Sequence, residues 1–177
     1  MPTTDLPLRI KRASQLTGEF TLRSGATSAT YFDKYRFEAD PDLLRDLAEA
    51  MIALLPPDTE VLAGMEMGGI PLVTALSLRT GLPAAFVRKE AKTYGTCRYA
   101  EGADLAERRF VLVEDVVSSG GAILDALVKM RADGLWPTRA ICVIDRGTGQ
   151  ETLAAEGLDL LGLFTYDEIA NAANRSA

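Results

Sequence analysis

The chain has 177 residues, enough for one domain with one core, and its 47% hydrophobic and 25% charged content excludes a chain left disordered by composition. Its formal net charge is -6, a poor balance for gripping a nucleic-acid backbone without sequence preference. There is no histidine, so the usual general base and the commonest metal ligand are both missing.

In chain order, the N-terminus MPTTDLPLRIKRAS has no apolar stretch of the kind a signal peptide carries. From Thr17 to Tyr35, TGEFTLRSGATSATYFDKY reads on its own as a hairpin, with Ser24–Gly25 as turn and Tyr31 and Phe32 as core filler. Pro41 to Leu55 reads as a helix capped by Asp40, with Pro41 first. Leu43, Leu47, Met51 and Leu54 share one of its faces, and Pro56–Pro57 ends it.

Five strands follow, Glu60–Met65, Ala84–Arg88, Phe110–Asp115, Ala140–Asp145 and Leu160–Thr165. Most are near-continuous apolar runs, as expected of strands buried on both faces. Helices are expected over about Ile70–Thr80, Gly121–Asp133 and Gln150–Glu156. That alternation predicts an α/β fold with a parallel sheet, whose ligands bind at the C-terminal ends of the strands. No apolar run approaches a membrane span. Cys97 and Cys142 form no CxxC pair, so neither a disulfide framework nor a zinc site is expected. A soluble protein of the cytoplasm is the expectation.

The strongest segment is Phe110–Leu124, FVLVEDVVSSGGAIL. An apolar strand ends in Glu114 and Asp115. A short loop, Val116 to Gly120, leads into a helix that starts at Gly121. Small residues there let backbone N–H groups converge on an anion, the helix dipole favours negative charge, and Ser118 and Ser119 add donors. The lysine of a Walker loop is missing, and so is the GxGxxG spacing. Two carboxylates beside a phosphate repel it unless they bind something else, and a ribose diol is the natural partner. The bland alternative is a capping serine after a buried strand.

VLVEDVVSSGGAIL resembles the phosphoribosyl pyrophosphate (PRPP) signature of type I phosphoribosyltransferases. The resemblance implies that Glu114 and Asp115 hold the ribose hydroxyls and that Val116, Val117, Ser118, Ser119, Gly120 and Gly121 surround the 5′-phosphate. The family commonly has two aspartates, and this chain has Glu-Asp.

Other segments resemble orotate phosphoribosyltransferases in particular. Thr17–Tyr35 is similar to their N-terminal hood, which implies Arg23 near the acceptor and Tyr31 and Phe32 against the orotate ring. FVRKEAKTYGT, Phe86–Thr96, resembles their RKEAK segment, which implies Arg88, Lys89 and Lys92 on the diphosphate, with Lys92 catalytic on a mobile lid, Thr93–Glu107. Many relatives have a histidine two residues after that lysine. This chain has Tyr94, so no role of that histidine carries over. GMEMGGIPLV, Gly64–Val73, resembles the pyrophosphate loop. Some relatives have a lysine where this chain has Gly68, so only backbone contacts at Gly68 and Gly69 are implied. Arg146 would meet orotate's carboxylate or a ring carbonyl, and Ser118 would also border the base.

The whole resemblance implies a type I phosphoribosyltransferase fold in a single domain, 1–177, with a hood and N-terminal helix over 1–37 above the C-terminal strand edge. It implies transfer of phosphoribosyl from PRPP to orotate in UMP biosynthesis, with Mg2+ carried by PRPP rather than held in a dedicated cage. It also implies a homodimer with shared active sites. Two alternatives stay open: a related enzyme using another base, and a non-catalytic PRPP sensor that binds nucleic acid.

Overall fold

Six strands form the central sheet in the order β5-β4-β3-β6-β7-β8. These are β3 (Val61–Met65), β4 (Ala84–Val87), β5 (Ala100–Gly102), β6 (Phe110–Val117), β7 (Arg139–Asp145) and β8 (Asp159–Thr165). All neighbours are parallel except the edge strand β5, which runs antiparallel to β4. A computed structural model describes residues 5–21, 25–90 and 99–173.

Alternation along the strands divides the core between two faces. On β6, Phe110 and Leu112 face one side, where they pack with Ile123, Leu127 and Met130 of α5 (Gly121–Ala132) and Leu153 of α6 (Gln150–Ala155). Val111 and Val113 face the other side and meet Ile10 of α1 (Leu6–Ser14), Leu47 of α3 (Pro41–Met51) and Leu72 and Leu76 of α4 (Gly69–Thr80). Leu112 is fully buried, and its truncation to alanine should cost about 2–5 kcal/mol.

The caps follow the sequence chemistry. Asp40 Oδ1 accepts the N–H groups of Asp42 and Leu43 at 3.0 Å each, with Pro41 as the first residue of α3. That helix ends at Met51 and tightens into a 3-10 turn, Ile52–Leu54, before the prolines. Gly81 ends α4 at φ 75°, a left-handed conformation that glycine adopts without a Cβ penalty. After β8, Thr165 and Glu168 form a reciprocal capping box that starts α7 (Tyr166–Ala170).

At the N-terminus, α1 leads into a hairpin of β1 (Gln15–Thr21) and β2 (Thr27–Phe32). A short helix α2 (Tyr35–Glu38) then carries the chain to α3. The expected hood is thus a two-stranded sheet separate from the main one.

Two expectations need correction. Strand β6 does not stop at Asp115: Val116 and Val117 still pair with Ile144 and Asp145 of β7, because β-branched residues extend the ladder readily. The loop is therefore Ser118–Gly120. The expected lid, Thr93–Glu107, is also too long. Residues 93–98 lie outside the described residues, but Tyr99 and Leu105 are buried in the core and Ala100–Gly102 forms β5. The polar composition of this stretch conceals those two apolar anchors.

Candidate active site

The carboxylate of Asp115 is completely buried at the C-terminal part of β6. Alternation sends Asp115 toward the face of α3 and α4 and Glu114 toward that of α5. Glu114 nevertheless turns back, and its Oε2 accepts the N–H of Asp115 at 3.0 Å. Asp115 Oδ1 accepts the N–H of Val116 at 2.5 Å.

Three neighbours close around Asp115. The first is Gly68, at the turn between β3 and α4: a Cβ placed there would lie 1.8 Å from Asp115 Oδ2. Gly69 beside it is equally tight, since a Cβ there would lie 2.2 Å from the carbonyl oxygen of Val113. The turn presents backbone to β6 because no side chain fits. The preceding peptide, Glu66–Met67, is cis.

The second neighbour is Lys34, whose Nζ lies 3.0 Å from Oδ1 and 2.8 Å from Oδ2 of Asp115. Burial alone would lower the Lys34 ammonium, but the hydrogen bond and the charges of Asp115 and Glu114 outweigh it and hold it above the ordinary lysine value. The third is Glu38, a buried residue of α2 whose carboxyl feels Asp115. Burial, then the hydrogen bond and charge of Asp115, raise the Glu38 carboxyl to about 9. Glu114 is raised to about 8, first by burial and then by the charge of Asp115. Both therefore hold their protons more tightly than an ordinary glutamate does.

Beyond β6, Ser118 and Ser119 are exposed and Gly120 turns at φ 76° into the N-terminus of α5. A Cβ on Gly149 would lie 2.8 Å from the carbonyl oxygen of Ser118 and 2.9 Å from the N of Gly120, so the α6 loop backs directly onto this turn. Converging N–H groups at the start of a twelve-residue helix suit an anion.

A cavity of about 190 Å³ opens at the end of β4, bordered by Glu66, Arg88, Lys89, Tyr99, Asp125 and Lys129. Glu66 Oε1 accepts the N–H of Lys89 at 2.7 Å, which ties the basic segment to the β3 turn. Arg88 Nε donates to the carbonyl of Glu90 at 3.2 Å. Lys92 and Tyr94 lie outside the described residues, as does Arg23.

On the other side of β6, Arg146 follows β7, and its N–H donates to the carbonyl of Val117 at 2.9 Å. Its guanidinium lies 4.3 Å from the ring centroid of Tyr166. Tyr166 meets Phe32 edge to face at 6.0 Å, so Phe32, Tyr166 and Arg146 form one wall from hood to strand end. Tyr31 points away from that wall, half exposed and stacked on Phe20 at 5.5 Å. The expected aromatic pair is thus divided between two faces of the hairpin, as strand alternation requires. Asp145 is braced from below: it accepts the N–H of Gly147 at 2.7 Å and Gln150 Nε2 at 2.5 Å.

Lys34, Glu38 and Tyr166 were not expected at the site. A lysine and a glutamate four apart normally read as a solvated helix pair. The signal available was their place, directly after the hood aromatics and before a buried helix.

Comparison with known proteins gives these features a context. A model of the phosphoribosyl transferase domain matches residues 38–156. An orotate phosphoribosyltransferase of a Nocardioides species is 49% identical over 161 residues, covering 90% of each chain. The crystal structure of Mycobacterium tuberculosis orotate phosphoribosyltransferase in complex with Fe(III) dicitrate superposes with a TM-score of 0.84 at 28% identity, over 94% of this chain and 97% of that one. The same enzyme in complex with 5-phospho-α-D-ribosyl 1-diphosphate gives a TM-score of 0.80 at 25% identity, over 94% and 98%.

Proposed function

The chain belongs to the phosphoribosyl transferase family and, within it, to the orotate phosphoribosyltransferases, and from that premise we propose how its own residues carry the reaction. Phosphoribosyl passes from PRPP to orotate, giving orotidine 5′-phosphate and diphosphate on the route to UMP. The bond from C1′ of the ribose to the diphosphate oxygen breaks, a bond from orotate nitrogen to C1′ forms, and the ring nitrogen loses its proton.

The observation that carries the reading is the buried Asp115 carboxylate, set between the Gly68 turn and the Ser118–Gly120 loop at one sheet edge. In this reading Asp115 and Glu114 take the ribose hydroxyls, and the N–H groups and hydroxyls from Val117 to Gly121 take the 5′-phosphate. Asp115 also faces the cation that develops at C1′. Arg88 and Lys89, with Lys92, offset the charge gathering on the departing diphosphate, and the peptide groups of Gly68 and Gly69 approach it closely. Arg146, held by Tyr166, pairs with the orotate carboxylate, while Phe32 walls the ring. Arg23 and Ser118 border the base, and Tyr31, stacked on Phe20 across the hairpin, stays off this wall.

Orotate is already an anion with an acidic ring nitrogen, so no strong protein base is needed in a chain without histidine. Magnesium would be held mainly by PRPP oxygens, with Asp115 and Glu114 as the protein's hard oxygen donors, and would supply charge neutralisation at the diphosphate. Asp115 Oδ2, buried and paired with the Lys34 ammonium at 2.8 Å, keeps a lone pair for that role or for a ribose hydroxyl.

The reading includes a cytoplasmic homodimer in which Lys92 of each subunit serves its neighbour's site. Two-fold dimers are the commonest closed assemblies, and a shared lid would exclude water from a shallow site.

The test is diphosphate release with orotate, uracil, hypoxanthine and adenine as acceptors. Orotate should be used far better than uracil, which lacks the carboxylate. Leaving the arginine unpaired costs on the order of 2–5 kcal/mol. Equal rates with orotate and uracil would remove the assignment.

A further inference from the structure

Asp115 is the most enclosed charged side chain of the site, and its immediate partners come from the hood junction rather than from the motifs around it. Lys34 spans both of its oxygens. Glu38, buried one helical turn further on, interacts with it as well. The spacing is that of neighbours on one helical face, since Lys34 is the N-cap of α2 and Glu38 its last residue.

The residues facing Asp115 otherwise include Glu114 on its own strand and the backbone of Gly68. A cation cannot come from position 68, because even a Cβ there overlaps the Asp115 carboxylate. Among the described residues, Lys34 is the cation that pairs with it. Asp115 Oδ2 meets the Lys34 ammonium at 2.8 Å, and Glu38 Oε1, buried in the cluster, has no hydrogen-bond partner among the described groups. A buried oxygen left in that state is normally completed by water or a ligand.

We propose that Lys34 and Glu38 are positioning residues for the ribosyl donor: Lys34 as counter-ion, with the buried Glu38 side chain packed beside it, holds the Asp115 carboxylate in the orientation that accepts ribose hydroxyls. The inference rests on the reading of Asp115 as a ribose ligand. Lys34 is the member of the cluster with substantial solvent exposure, 36% of its side chain, so the donor approaches on its side. Its ammonium gives up one oxygen of Asp115 to an incoming hydroxyl while keeping the other. Glu38, behind it, keeps the carboxylate from swinging toward the space this leaves. The hood junction thereby acts on the donor half of the reaction, although its aromatics serve the acceptor half.

The experiment measures PRPP affinity by calorimetry, and KM for PRPP and for orotate, in Lys34→Ala, Lys34→Arg, Glu38→Ala, Glu38→Gln and Asp115→Asn. Circular dichroism and thermal melts confirm folding. Lys34→Ala should weaken PRPP binding about tenfold or more, the scale of one charge-assisted hydrogen bond, while KM for orotate moves by no more than about twofold. Lys34→Arg should restore part of that loss, and Glu38→Gln should restore part of what Glu38→Ala loses, because the amide keeps the size and place of the buried side chain. If Lys34→Ala does not fold, Lys34→Gln serves in its place with the same expectation.

Unchanged or tighter PRPP binding on removing the Lys34 charge would make Lys34 a plug rather than a positioning group and overturn the proposal. Equal losses in Glu38→Gln and Glu38→Ala would overturn the role of Glu38. Asp115→Asn separates the two levels: if it binds PRPP normally, the ribose reading itself fails. If it loses binding while the Lys34 and Glu38 variants do not, only the positioning proposal fails.

Discussion

Gly68 and Asp115 touch so closely that a single added carbon at residue 68 would stand 1.8 Å from the Asp115 Oδ2 oxygen. Strand β6 and the turn after β3 are therefore locked in register at the point where the donor is expected.

Gly68→Ala should move the carboxylate, since the added Cβ would overlap a fully buried Asp115 side chain. The overlap should cost about 1–3 kcal/mol of stability. KM for PRPP should rise about tenfold or more, the equivalent of one misplaced hydrogen bond, with KM for orotate little changed. Urea titration and steady-state kinetics measure both. A Gly68→Ala enzyme with wild-type KM for PRPP would show that the contact has no part in donor binding.

Tyr166 should matter to the acceptor through Arg146. Tyr166→Leu keeps an apolar group beside Phe32 but removes the ring under the guanidinium, at about 0.5–2 kcal/mol for such a contact. KM for orotate should rise severalfold while PRPP affinity stays level. Should both substrates weaken together, the wall would be a folding element and not a specificity device.

Stability should depend on pH through the two buried glutamates. The folded values of Glu38 and Glu114, about 9 and about 8, stand above the ordinary glutamate value of 4.5. A raised acid binds its proton more tightly folded than unfolded, so its stabilisation is complete below pH 4.5 and is lost as pH climbs through the folded value. Glu38→Gln carries no such proton. Its melting temperature relative to wild type should therefore increase from pH 5 to pH 9, roughly the window set by these values. Parallel melting curves for the two proteins across that range would contradict the buried neutral acid.

Complementation tests the shared site. Lys92→Ala and Asp115→Asn homodimers should each be nearly inactive. Random exchange makes about half the dimers mixed, each with one intact site, so recovery near one quarter of wild-type activity is the expected scale. Sedimentation establishes the dimer first. Absence of recovery after demonstrated exchange would place Lys92 in its own subunit's site.

Much of the fold was legible because its signals are local. Asp40 and Pro41 announced α3, and the apolar runs announced the five parallel strands, most bounded to within a residue or two. Strand β5 escaped notice since three residues, Ala100–Gly102, carry no periodicity and pair only through the β4 edge. Helix α1 was expected only through the resemblance, as the N-terminal helix within 1–37, although Pro7 marks its first turn and Leu6 and Ile10 its buried face. At the site, VEDVVSSGG could be read directly, being a continuous strand–loop–helix string. Lys34, Glu38 and Tyr166 could not, because each becomes meaningful only when chain segments dozens of residues apart meet.

The tight seat of Gly149 against the backbone of Ser118 and Gly120 has a consequence for binding entropy. A glycine-bearing turn standing alone would sample many shapes and would have to be ordered by its ligand, at about 1–2 kcal/mol per residue. Here the α6 loop, itself fixed by the Asp145 contacts to Gly147 and Gln150, has already restricted the turn. An anion meets a cradle whose ordering was completed during folding, so the strength of its hydrogen bonds goes into affinity instead of into freezing the loop.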